Sequence, residues 1–237
     1  MKEIDTETAE RLLTFMESMA PEQTAFLNRL EEEATGDAVP IIRTQTRSLI
    51  LFLLELLHPR RILEIGTGTG FSACLMLTYA PGEVRITTIE RDPGRIRKAK
   101  ENFARMDEEA EAVPGRGSRQ ITLLEGDAGE LLPGLDGPYE FIFMDAAKGQ
   151  YIHFLPEMKR LLAPGGVLLS DNILVGGEIL ASRYAVKRRD RTIHRRMREY
   201  LEALTHDPEL RTLLLQEGDG AALSLKKLAE PPKKADF

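Results

Sequence analysis

Between residues 61 and 170, short apolar runs alternate with stretches of helical periodicity, and this alternation constrains the fold more than any other feature of the chain. Residues 61–65, 84–90, 121–125, 140–145 and 167–170 read as strands, rich in Ile, Leu, Val, Phe and Thr. Residues 71–79, 93–106, 128–132 and 151–162 read as the helices between them. A strand followed by a helix returns the chain to the end where it began, so the next strand runs parallel to the first. Five such strands imply an open sheet buried on both faces.

After a basic helical stretch come two further strands, 211–216 and 221–226, separated by only a few residues including Gly218 and Gly220. So short a link makes an antiparallel hairpin. The expected fold is therefore α/β: a doubly wound, Rossmann-like, seven-stranded sheet, mostly parallel with an antiparallel C-terminal hairpin, and helices on both faces. Residues 1–58 form a helical cap. In 1–36 Leu12, Leu13, Phe15, Met16 and Met19 share a face, Pro21 can open a second helix and Gly36 can stop it; a third helix runs from about residue 44 to His58 and ends at Pro59. The charged stretch 108–119, with Pro114, Gly115 and Gly117, reads as a surface loop, and 231–237 as a frayed tail. Residues 1–230 make one domain.

Several function classes drop out. At 42% hydrophobic residues the chain can build a core. Its start, MKEIDTETAE, is acidic and is no secretory signal. The longest apolar stretch, 49–57, is broken by Glu55, whereas a membrane span needs about 18 apolar residues. Cys74 is the single cysteine, which excludes a disulfide framework and a cysteine-rich zinc site. A soluble cytoplasmic protein with no membrane partner is expected.

The run Glu64-Ile65-Gly66-Thr67-Gly68-Thr69-Gly70 sits between a strand and a helix, where glycines let a ligand approach the backbone. Glu90, twenty residues beyond Gly70, ends the next strand, where a carboxylate can accept from both hydroxyls of a ribose. A dinucleotide site would place its third glycine at 71, which is Phe71. The spacing G-x-G-x-G after an acid resembles instead motif I of the S-adenosylmethionine-dependent methyltransferases. In that pattern an acid such as Asp127, in Glu125-Gly126-Asp127-Ala128, meets the adenine amino group. Glycine-rich turns also occur without a nucleoside, and Gly-Asp is an ordinary turn.

Asp145 ends the fourth strand, and Asp171 and Asn172 end the fifth. Neighbouring strand ends of a doubly wound sheet face one crevice, so three oxygen donors would meet beside the cofactor. Such donors suit a hard cation, Mg²⁺ first, with Mn²⁺ or Ca²⁺ able to substitute. The bland reading is that strand-end acids cap loops. Lys148 follows Asp145 by three residues. His58, His153, His194 and His206 read as structural or surface groups.

The motifs E-I-G-T-G-T-G-F-S, T-I-E-R, D-A-A-K-G-Q-Y and S-D-N together resemble the cation-dependent O-methyltransferases, among them catechol and caffeoyl-CoA O-methyltransferases, over residues 38 to 227. The resemblance implies S-adenosyl-L-methionine and Mg²⁺ as cofactors. It implies a cofactor pocket lined by Glu64, Gly66, Ser72, Glu90, Asp127 and Ala128, with Ile42 laid against the cofactor and Asp145 adjoining it. It implies Asp145, Asp171 and Asn172 as metal ligands, Lys148 as general base, and a homodimer. Arg47-Ser48 stands where the family often has Gly-Gln, which changes the lid contacts.

The substrate is where charge enters. The chain carries −6, yet residues 183–198 hold Arg183, Lys187, Arg188, Arg189, Arg191, Arg195, Arg196 and Arg198 against Asp190 alone, which is +7 and leaves −13 for the rest. A solvated helix face is the bland reading. The segment follows Asp171-Asn172 after the loop 173–181, so it should begin at the mouth of the site, where an RNA backbone uses cations and a neutral phenol does not. The run R-R-D-R-T-I-H-R-R-M-R-E, with the later G-D-G-A-A-L-S-L-K-K, resembles the bacterial tRNA 5-hydroxyuridine methyltransferase branch. That implies methylation of wobble 5-hydroxyuridine to 5-methoxyuridine, with Arg188, Arg189, Arg191, Arg195, Arg196 and Arg198 on the tRNA backbone. The alternative is a small-molecule O-methyltransferase acting on catechol-like or caffeoyl-CoA-like vicinal diols. A non-catalytic nucleic-acid-binding module fits the metal and base set less well, and a nicotinamide oxidoreductase is disfavoured by Phe71.

Overall fold

The computed structural model describes residues 5–36, 39–109, 120–182, 184–216 and 219–228. Seven strands form one sheet: β1 Arg61–Ile65, β2 Arg85–Glu90, β3 Ile121–Glu125, β4 Tyr139–Met144, β5 Leu162–Asp171, β6 Leu210–Leu215 and β7 Ala221–Lys226. Their order across the sheet is β3-β2-β1-β4-β5-β7-β6. The first five pair in parallel, in registers such as Ile62↔Ile86 and Ile62↔Phe141, and β7 lies antiparallel between β5 and β6, with Asp171 opposite Ala221. The expected doubly wound sheet with an antiparallel C-terminal pair is the observed one.

Each strand alternates its side chains between two cores. On one face Ile62, Ile86, Phe141, Phe143, Val167 and Leu169 pack under α2 Ala25–Gly36, α3 Thr44–Leu57, α4 Phe71–Tyr79 and α5 Pro93–Glu109. On the other, Leu63, Ile65, Ile89, Ile142, Met144 and Leu168 pack under α6 Ala128–Leu131, α7 Tyr151–Leu161 and α8 Arg191–His206. Every residue of α4 from Phe71 to Leu77 is buried, as befits an all-round apolar helix lying between the sheet and the outer helices α2 and α3. The first helix, α1 Thr6–Ser18, is capped by the Asp5 carboxylate, which accepts from the Thr8 N–H at 2.8 Å. Its Leu12, Leu13, Phe15, Met16 and Met19 remain exposed. No helix among the described residues is long and apolar enough to cross a membrane.

Three boundaries depart from expectation by more than one residue. α2 begins at Ala25 rather than at Pro21, because Thr24 caps it: its Oγ1 accepts from Leu27 N at 3.3 Å and its carbonyl from Asn28 N at 3.0 Å. β5 begins at Leu162 rather than at 167; Leu162 pairs with Tyr139, the register then slips, and pairing resumes at Phe141↔Val167. α5 runs on to Glu109. Residues 110–119 of the expected surface loop, Arg183, two residues of the hairpin link (217 and 218) and the tail 231–237 lie outside the described residues.

Candidate active site at the strand ends

The C-terminal ends of β1, β2 and β3 carry a cradle held by its own backbone. Gly66 has φ 99°, and a Cβ there would lie 2.1 Å from the Asp145 carbonyl oxygen, so the turn after β1 can pass the end of β4 only as glycine. Gly66 N and Thr67 N donate to the Ile89 carbonyl at 3.0 and 3.2 Å. Glu90 then fastens the loop: one carboxylate oxygen accepts from Gly68 N at 2.9 Å, and the other from Arg91 N and Asp92 N, both at 2.9 Å. Asp127 caps α6, accepting from Gly129 N at 2.8 Å, and its second oxygen pairs with Arg91 at 3.1 Å.

Glu64 is fully buried. The Ser72 hydroxyl donates to one of its oxygens and the Thr88 hydroxyl to the other at 2.5 Å. Burial pushes its carboxyl up to about 7, against the pull of those two hydroxyls.

The ends of β4 and β5 carry the second half. Asp145 Oδ1 accepts from Lys148 Nζ at 2.8 Å and from the Asn172 amide at 3.2 Å. Lys148 also donates to the Tyr151 hydroxyl at 2.9 Å and to the Asp171 carbonyl at 3.3 Å. Asp171 Oδ1 accepts from Asn172 N at 2.8 Å and from the Thr46 hydroxyl at 3.2 Å. Burial first, and the Asp145 charge second, push the Asp171 carboxyl up to about 6. Burial likewise holds the Tyr151 phenol well above its ordinary range, so it stays a neutral hydroxyl. Asn172 adopts φ 55°, in the left-handed region that asparagine enters more readily than other non-glycine residues.

The two halves face one cavity of about 510 Å³. Ile42, Gly66, Glu90, Asp127, Ala128, Asp145, Lys148, Asp171 and Asn172 line it, all of them expected. Glu64 and Ser72, also expected on the wall, are bonded to each other beneath it and are absent from the lining. Thr46 and Tyr151 escaped sequence reasoning. Tyr151 closes the motif D-A-A-K-G-Q-Y, which could have marked it; Thr46 lies 125 residues from Asp171, and nothing local announces their contact.

The donor set suits a hard cation. Among the described residues there is no cluster of three His, Cys, Asp or Glu side chains able to hold a metal. This site instead offers two carboxylates and one amide, all oxygen donors, as Mg²⁺ accepts with water completing its shell.

The basic segment divides by direction. Helix α8 starts at Arg191, and its His194, Met197, Tyr200 and Leu204 are buried. Arg191 donates to the Val186 carbonyl, Arg196 to that of Gly149 and Arg198 to that of Ile179, each at 3.1 Å. Arg195 pairs with Glu199 at 2.6 Å, half exposed. Arg188 is exposed, and Arg189 reaches Asp190 at 3.3 Å with its side chain 80% exposed.

A family model described as O-methyltransferase matches residues 16–227. A Mycolicibacterium vanbaalenii protein carrying an O-methyltransferase name is 30% identical over 199 residues, 84% of this chain and 82% of that one. A catechol O-methyltransferase of Mycobacterium tuberculosis is 31% identical over 153 residues, 62% of this chain and 66% of its own. The SAH-bound methyltransferase PaMTH1 of Podospora anserina superposes with a TM-score of 0.80 at 25% identity, covering 96% of this chain and 98% of that one.

Proposed function

The chain belongs to the O-methyltransferase family, and on that footing we propose that it transfers a methyl group from S-adenosylmethionine, with Mg²⁺, to 5-hydroxyuridine at the wobble position of tRNA. The observation that carries the reading is the single cavity onto which Glu90 and Asp127 on one wall, and Asp145, Lys148, Asp171 and Asn172 on the other, all open.

In this reading Glu90 receives the ribose hydroxyls, Asp127 the adenine amino group, and Ile42 and Ala128 pack on the nucleoside. S-adenosylmethionine, when bound, supplies the methyl carbon that a substrate oxygen attacks. Asp145, Asp171 and Asn172 would hold Mg²⁺, which when bound favours loss of a proton from an adjacent hydroxyl. Lys148, fixed by Asp145 and Tyr151, accepts or steers that proton. Holding two reactants in one cavity supplies much of the acceleration. The exposed Arg188, Arg189 and Arg195 support a polyanionic substrate, and the exposed apolar face of α1 supports a homodimer.

Radiolabelled methyl transfer to tRNA with and without 5-hydroxyuridine tests the proposal. Label should enter only the hydroxylated tRNA, stop with chelator and return with Mg²⁺. Replacing Arg188, Arg189 and Arg195 with Ala should raise KM for tRNA and lower its log–log salt slope by roughly 0.7 to 0.9 per lost phosphate contact. A relative named catechol O-methyltransferase favours the second reading, a small vicinal diol. Methylation of catechol with none of hydroxylated tRNA would establish that reading and sink the first.

A further inference from the structure

Lys148 stands at the head of a short 3₁₀ turn, Lys148–Gln150, that has no side-chain cap of its own. The turn is braced from behind by α8. The Arg196 guanidinium, half-buried, donates to the Gly149 carbonyl at 3.1 Å. A Cβ on Gly149 would lie 3.7 Å from that same guanidinium nitrogen and 3.8 Å from Ile193 Cγ1, so the helix packs directly on the turn. One helical turn further, Tyr200 meets Tyr151 edge to face with ring centroids 5.4 Å apart, and its hydroxyl lies 2.6 Å from Ser170 Oγ. Tyr151 in turn holds Lys148 Nζ. The lysine is thus gripped at its tip by Asp145 and Tyr151, and the turn it heads is held one residue on, at the Gly149 carbonyl, by Arg196.

We propose that Arg196 is a positioning residue for the Lys148 turn and is not an anchor for substrate phosphate. The inference rests on Lys148 handling the substrate proton. It separates Arg196 from its neighbour Arg195, which points outward to Glu199 and stays half exposed. One of the five N–H donors of this guanidinium is committed to the Gly149 carbonyl, and with the group half-buried against the turn that bond directs it inward, away from the surface a phosphate would reach. A catalytic side chain needs support of this kind, since a misplacement of about 1 Å costs on the order of 100-fold in rate.

The test compares Arg196→Ala, Arg196→Lys and Arg195→Ala on hydroxylated tRNA and on a small catechol, together with amide hydrogen exchange over residues 145–151. Arg196→Ala should lower kcat about tenfold on whichever substrate is methylated, leave KM and the salt slope for tRNA unchanged, and speed exchange at 148–150. Arg196→Lys, which keeps the charge and one donor group on a shorter stem, should restore part of kcat and of the exchange protection. Arg195→Ala should instead raise KM for tRNA. The proposal is overturned if Arg196→Ala raises KM and flattens the salt slope with kcat and exchange intact. If tRNA is never methylated, the tRNA reading fails by itself, and exchange at the turn with kcat on catechol still decides the role of Arg196. Should the alanine variant not fold, phenylglyoxal labelling of the parent protein replaces it. Slow labelling of Arg196 with or without tRNA supports the brace, and protection by tRNA refutes it.

Discussion

On the wall built by β1, β2 and β3, each carboxylate is answered by the chain itself: Glu64 by two hydroxyls, Glu90 by three backbone N–H groups, Asp127 by a helix start and Arg91. On the wall built by β4 and β5, the Asp145 carboxylate takes Lys148 and the Asn172 amide, that of Asp171 takes the Asn172 N–H and the Thr46 hydroxyl, and burial with the Asp145 charge raises Asp171 to about 6. The first wall is finished in itself, its acids fixed by the chain's own N–H and O–H groups. The second sets one lysine beside two neighbouring carboxylates, a clustering that functional sites share. On the proposed function the first wall would shape the nucleoside's seat and the second would take the cation.

That contrast can be broken at three places. The largest effect is expected on the charged wall: Asp145→Ala should reduce methyl transfer by about 10²–10³-fold or more while the melting temperature holds, because the partner of Lys148 and the proposed cation ligand are lost together. Steady-state rates with and without chelator check this, and full activity in excess chelator would remove the metal from the mechanism. Next comes the finished wall, through pH. The folded pKa of Glu64, about 7, lies above its ordinary 4.5, so the folded chain binds this proton more tightly than the unfolded one. The stability Glu64 contributes is complete below about pH 4.5 and is lost as pH rises through 7. Glu64→Gln, which can keep both hydroxyl partners, should flatten that loss by up to about 3 kcal/mol. Urea midpoints measured from pH 4.5 to 8 decide it, and parallel profiles would mean that Glu64 is ionised throughout. The smallest effect is expected at Glu90: Glu90→Ala should weaken S-adenosylmethionine binding by about 1–3 kcal/mol, read by calorimetric titration. Unchanged affinity would take Glu90 out of the ribose site.

Much of the scaffold was legible in the residues. The bounds 61–65, 71–79, 121–125 and 221–226 are as read, because apolar period and turn chemistry agree there. The first half of β5 was hidden by Pro164-Gly165-Gly166, residues that signal a turn locally but sit in a register slip beside β4. In the site, strand-end acids could be placed on the crevice from topology alone. Whether a strand-end group opens upward or is sealed below could not: Glu64 and Ser72 turn inward to each other, which depends on α4 packing over β1. Thr46 meets Asp171 only through the tertiary placement of α3. For the arginines, composition reported charge but not direction, and direction separates Arg195 from Arg196.

The sheet order also sets a schedule. β5, whose end carries Asp171, has β4 on one side and β7 on the other, and β7 is Ala221–Lys226. A ribosome delivers β1 to β5 and their helices first, leaving β5 as an open edge with unpaired N–H and C=O groups. The hairpin that closes it arrives about 50 residues later. The strands of the first wall are therefore all delivered while the chain is still being made, whereas β5 gains its second neighbour only when the last strand slides between β5 and β6. A nascent chain halted before residue 221 would hold every residue that lines the cavity and still leave the strand that ends in Asp171 as an open edge.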